Sequence, residues 1–177
     1  VKRNLNGVLS GVWYLTATLL LFVAPRAQAQ VEDQIGIAHG ATPAAVTIED
    51  LAGQPVDLAR HIGKKPVLFE FWATWCPLCE ALFPKLEAAA SRYQGSIDVV
   101  VIAVAVNESK RSIQRHLERH PMPFASIYWD TDGKATRAFQ APSTSYVVTL
   151  DAAGKVVYTG LGDAQDIEAA MARALRR

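Results

Sequence analysis

The chain has only two cysteines, no long basic run, and no internal repeat or low-complexity tract. Each shortage excludes something. Two cysteines cannot build the multi-disulfide frame of a small secreted domain. A formal net charge of +1 leaves nothing to neutralise a phosphate backbone, so nucleic acid is not an expected partner. The closing "ARALRR" reads instead as arginines in a last helical turn, complementing the helix dipole. Metal ligands are scarce too. His116 and His120 stand four apart, but no Glu-x-x-His frame surrounds them and no third ligand is visible. "DTDGK" opens like a calcium loop, yet Ala141 stands eleven residues after Asp130, where a bidentate Glu is required. No cofactor and no metal are expected.

What is present is a chain of 177 residues, half of them hydrophobic, enough for one domain with a real core. Its amino terminus differs in kind from the rest. "VKRN" is a cationic lead, "GVLSGVWYLTATLLLFVA" an apolar run, and Ala27-Gln28-Ala29 an A-x-A cleavage pattern. Residues 1–29 are read as a secretory signal, with an uncleaved anchor over residues 5–24 as the rival reading. Both place the remainder outside the cytoplasm, with a membrane touched only through this segment. Residues 30–45 read as a flexible lead-in, and residues 46–177 as one domain.

Within that domain, "VTIEDLAGQPVDL" gives two short strands around Gly53, a hairpin signal. "PVLFEFW" is an apolar, β-forming run and reads as a strand buried on both faces. A helix follows the cysteines, with Pro77 at its first position, a stripe of Leu78, Leu82, Leu86, Ala89 and Tyr93, and Pro84 inside it. "DVVVIAVAVN" is a second buried strand, and "SKRSIQRHLERH" a short helix carried by Ile113 and Leu117. "FASIYW" is a strand, "DTDGK" a turn, "YVVTL" and "KVVYT" a hairpin, and "DAQDIEAAMARALRR" a closing helix. The order describes an α/β fold with a central mixed sheet flanked by helices.

The stretch "FWATWCPLCE" carries the chemistry. Cys76 sits where a buried strand gives way to a helix, so unpaired N–H groups and the helix dipole favour a negative sulfur there. Cys79 lies one turn on, within reach of the first sulfur. Cys76 can then attack a partner disulfide, and Cys79 can resolve the mixed intermediate. As a structural staple the pair would close too small a loop to restrain the unfolded chain. Trp75, beside the nucleophile, reads as a contact surface, and Trp72 as core.

With Pro84 downstream, "FEFWATWCPLC" resembles the thioredoxin superfamily, in particular the exported TlpA/ResA/CcmG-type thiol–disulfide oxidoreductases. The likeness runs from about Val46 to the last helix. It implies a thioredoxin-like fold with an N-terminal β-hairpin extension, an exposed nucleophile at Cys76 and a shielded thiol at Cys79. It also implies protein disulfides as substrates, often those of apocytochrome c, and a membrane thiol–disulfide transporter as electron donor. Substrate contacts are expected from Trp75, Pro77, Thr144 and Ser145.

Three departures from the family pattern stand out. Glu70 lies six residues before Cys76, where relatives of this subgroup commonly have Asn; a buried carboxylate there has its pKa raised and can take the Cys79 proton. Glu80 follows Cys79, where a basic residue is frequent, and makes the pair more reducing. Ser145 falls where the family places a cis-proline, so the Thr144–Ser145 bond is expected to be trans. A gapped register would instead place Pro142 there.

The sequence therefore describes an exported, periplasmic thiol–disulfide oxidoreductase that reduces protein disulfides, with cytochrome c maturation as one setting. The alternative is a dithiol metal-binding or metal-delivery module on the same fold, since two thiolates suit Cu(I) or zinc.

Overall fold

A computed structural model describes residues 34–176 of the chain. The expected signal over residues 1–29 lies outside the described residues, as does the start of the lead-in. Seven strands form one sheet: β1 (Thr47–Asp50), β2 (Pro55–Asp57), β3 (Val67–Trp72), β4 (Asp98–Val104), β5 (Ser126–Asp130), β6 (Tyr146–Leu150) and β7 (Val156–Leu161). Among the described residues four α-helices accompany them, α1 (Pro77–Arg92), α2 (Lys110–Arg119), α3 (Lys134–Ala138) and α4 (Ile167–Leu175), with one short 3-10 helix over Leu58–His61. The spatial order is β2-β1-β5-β4-β3-β6-β7. β3, β4 and β5 are parallel neighbours, while β6 and β7 add antiparallel on one side and the β1–β2 hairpin on the other. This is the mixed thioredoxin-like sheet, with its hairpin extension, that the sequence describes.

All six residues of β3 are buried, which explains why no hydrophobic alternation marks it. Its side chains still alternate in space. Val67, Phe69 and Phe71 enter a core shared with Ile113 of α2 and Phe139 after α3. Leu68 enters a second core, with Leu82 and Leu86 of α1 and Met171 of α4. Burying each such side chain contributes roughly 1.5–3 kcal/mol. The site is therefore carried between two packed layers at the end of a strand that cannot slip.

Two expectations change. The stripe of α1 begins with Cys79, not Leu78: Cys79, Leu82, Leu86 and Ala89 are buried, whereas Leu78 points outward, 48% exposed. Leu78 precedes Cys79 by one residue, so burying the sulfur turns it to solvent. Between Ile35 and Ala41 the lead-in packs against the sheet. Ile37 is buried, its N–H donates to the Tyr146 hydroxyl, and Gly40 N–H and Ala41 C=O bracket Val156 of β7. Gly36 (φ 76°) passes so close to Tyr146 that a Cβ would run into its hydroxyl. Finally, "DTDGK" is a turn, but α3 follows it at once. The buried Asp130 carboxylate accepts from the N–H groups of Ala135 (3.0 Å) and Thr136 (2.8 Å), which starts the helix.

Candidate active site

Cys76 is the N-cap of α1, and its sulfur accepts the N–H of Cys79 at 3.1 Å. A sulfur in that position occupies one of the donors that every helix start leaves open. Pro77 holds the first helical position, where no N–H is needed. Cys76 and Cys79 form a disulfide, with Cα atoms 5.3 Å apart. Neither sulfur stands on open surface: Cys76 is 6% exposed and Cys79 1%. The expected order of access holds, but the expected exposure of Cys76 does not, because both residues lie in the wall of a pocket.

That pocket, of about 420 Å³, runs between α1 and the C-terminal half of α2. Cys76, Cys79 and Glu80 form one side; His116, Arg119 and His120 form the other. Trp72, Phe83 and Met122 supply apolar surface. His116 meets the Trp72 ring edge-on at 5.3 Å and lies tilted against the His120 ring at 4.8 Å. Burial holds its pKa below the usual histidine range, with help from His120 and Arg119. Sequence reading set this histidine pair aside as an unlikely metal site; their shared helix face was the available signal for a pocket wall.

Two further contacts fix the loop before Cys76. Glu108 accepts from both the N–H (2.8 Å) and the hydroxyl of Thr74, and from the Ser112 hydroxyl at 2.6 Å. The Trp75 indole N–H donates to the Val106 carbonyl at 2.8 Å. Trp75 nevertheless remains 47% exposed and Pro77 is exposed beside it, while Trp72 is buried. Glu108 was missed from sequence, where it looks like one more acidic residue before a helix.

Glu70 is 1% exposed, and neither carboxylate oxygen has a hydrogen-bond partner among the described residues. By strand alternation it shares a face with Leu68, whose cluster includes Leu82 and Leu86 of α1, whereas Cys76 and Cys79 pack into the other core. Burial pushes its pKa up to about 8. The expected rise is therefore present and its cause is desolvation.

The Thr144–Ser145 bond is the trans bond that the sequence leads one to expect, like every other among the described residues, and the φ of Ser145 is 60°. The residue is fully buried. Its N–H donates to Phe71 C=O at 2.7 Å, and its C=O accepts from Gly162 N–H and from the Gln165 amide. With both backbone groups engaged internally, Ser145 has none left for a substrate strand. Thr144 beside it is partly exposed. Among the described residues no group of three or more His, Cys, Asp or Glu is placed to hold a metal ion.

The sequence matches the Redoxin family over residues 38–175. Among curated proteins it is 36% identical over 80 residues to the thiol-disulfide oxidoreductase ResA of Halalkalibacterium halodurans, covering 45% of this chain and 44% of that one. It is 28% identical over 138 residues to ResA of Geobacillus thermodenitrificans, covering 77% of this chain and 78% of that protein. Among solved structures it is similar to a secreted Mycobacterium tuberculosis disulfide oxidoreductase homologous to E. coli DsbE. That match has a TM-score of 0.61 at 24% identity, over 72% of this chain and 94% of the other.

Proposed function

The chain belongs to the Redoxin family as a thiol–disulfide oxidoreductase of the ResA/DsbE type, and on that premise we propose that it is an exported reductant of protein disulfides. The observation that carries the reading is Cys76 as helix N-cap, its sulfur held by the Cys79 N–H at the wall of an open pocket.

In the reduced enzyme the Cys76 thiolate attacks one sulfur of the substrate disulfide. A Cys76–substrate disulfide forms and the other substrate sulfur leaves as a thiolate. Cys79 then passes its proton to the Glu70 carboxylate, through water, and its thiolate attacks the Cys76 sulfur. The substrate departs as a dithiol, two electrons richer, its sulfurs taking up the Glu70 proton and one more from water, and the enzyme is left with the Cys76–Cys79 disulfide. Trp75, Pro77 and Thr144 are the residues assigned to substrate contact on this reading.

An integral membrane thiol–disulfide transporter returns the two electrons. Apocytochrome c is the substrate we infer, by analogy with the subgroup the sequence resembles. Export rests on the A-x-A pattern at Ala27–Ala29 and on the secreted relative of the same fold. Sequencing the mature amino terminus tests it: a chain beginning at Gln30 supports cleavage, and an intact leader on purified membranes supports the anchor.

Direction of electron flow is tested by equilibration against glutathione. Glu80 beside Cys79 disfavours the thiolate, so the expected potential lies below about −200 mV. A value near about −120 mV makes the protein an oxidant and overturns the proposal.

A further inference from the structure

We propose that the pocket wall formed by Arg119 and His120 recognises a carboxylate on the substrate, so that the preferred substrates are disulfides flanked by acidic residues. This rests on the reading of the dithiol as a disulfide reductant and adds the chemical class it selects.

The charge distribution carries it. Helix α2, Lys110–Arg119, holds Lys110, Arg111, Arg115 and Arg119 against a single acid, Glu118. Lys110 is paired with Glu49. Arg119 has no carboxylate partner among the described residues; its Nε donates to the Arg115 carbonyl at 3.1 Å, leaving its terminal amino groups for another acceptor. A cation in a last helical turn offsets the dipole wherever it points. That role does not account for Arg119 and His120 both lining the same pocket as the two sulfurs.

The opposite wall fixes the polarity. Glu80 follows Cys79 and repels an anion from the α1 side, so a substrate carboxylate is directed towards α2. The apolar surface of Trp72, Phe83 and Met122 between the two walls receives the carbon chain that joins carboxylate to sulfur. At about 420 Å³ the space lies within the range of small-ligand pockets, about 300–1,000 Å³, and exceeds what one attacking sulfur needs.

The test uses the full reduced chain and three small disulfides: anionic dithiodiglycolate, neutral hydroxyethyl disulfide and cationic cystamine. Each is reduced to two thiols as Cys76 and Cys79 become a disulfide, and each rate is divided by that of dithiothreitol to remove intrinsic reactivity. The expected anionic-to-cationic ratio is about tenfold at low salt and falls as salt is added. Replacing Arg119→Ser together with His120→Ser brings the ratio to about one, while Arg115→Ser, on the same helix outside the pocket lining, keeps most of it. A wild-type ratio of about one or less, no change in the double variant, or an equal loss in Arg115→Ser overturns the proposal. Failure to reduce even the neutral disulfide sinks the underlying reductase reading instead.

Discussion

Thr74, two residues ahead of Cys76, gives both its backbone N–H and its hydroxyl to one carboxylate oxygen of Glu108. The other oxygen of Glu108 takes the Ser112 hydroxyl, so one side chain joins the cysteine loop to the first turn of α2. Removing it leaves part-buried donors unsatisfied. Glu108→Ala should cost about 1–3 kcal/mol in urea denaturation, with Glu108→Gln costing less than half as much. A loss under about 0.5 kcal/mol for the alanine variant would show that the loop holds itself.

Glu70 makes a prediction with a definite sign. Its folded pKa is raised to about 8 from 4.5, so the folded chain binds this proton more tightly than the unfolded one. Stability from this group is full below about pH 4.5, falls as pH climbs towards about 8, and levels off above. Glu70→Gln removes the dependence and should be the more stable protein at pH 8.5 by roughly 2–4 kcal/mol. The same exchange should slow resolution of the mixed disulfide by about 10²-fold and flatten its rise with pH. Equal pH profiles for the two proteins would remove Glu70 from the mechanism.

Ser145 reverses an intuition drawn from its relatives. At φ 60° with its N–H donated to Phe71, proline has the wrong φ and lacks the donor. Ser145→Pro is expected to destabilise by about 2 kcal/mol or more. Ser145→Gly, which accepts the left-handed backbone without strain, should gain about 0.5–1 kcal/mol. A proline variant as stable as the parent would mean the loop can rebuild.

Gly36 supplies a check on the lead-in. Gly36→Ala places a methyl against the Tyr146 hydroxyl at φ 76°, and should cost about 2 kcal/mol or more. Hydrogen exchange at Ile37 should quicken with it. Unchanged protection there would show that the segment is not held through Tyr146.

Much of this molecule is written locally. The strand ending in Trp72, the proline that opens α1 and the two sulfurs one turn apart follow from neighbours in sequence, and each is found where the pattern places it. What escaped needs partners distant in the chain. Glu108 meets Thr74 across 34 positions, and Ile37 meets Tyr146 across 109. Leu78 was misjudged because a spacing of four fits two stripes, and only burial of Cys79 chooses between them. Helix α3 was missed because its start depends on a buried carboxylate five residues upstream.

The two borders of the sheet are closed in different ways. On one side the outermost strand is β2, only three residues long and opening with Pro55, which has no N–H to offer a newcomer. On the other side β7 would present a longer ladder, but Gly40 and Ala41 already occupy the outward groups of Val156. The sheet therefore offers an incoming strand little backbone to pair with at β2, and at β7 the ladder is already taken where Val156 stands.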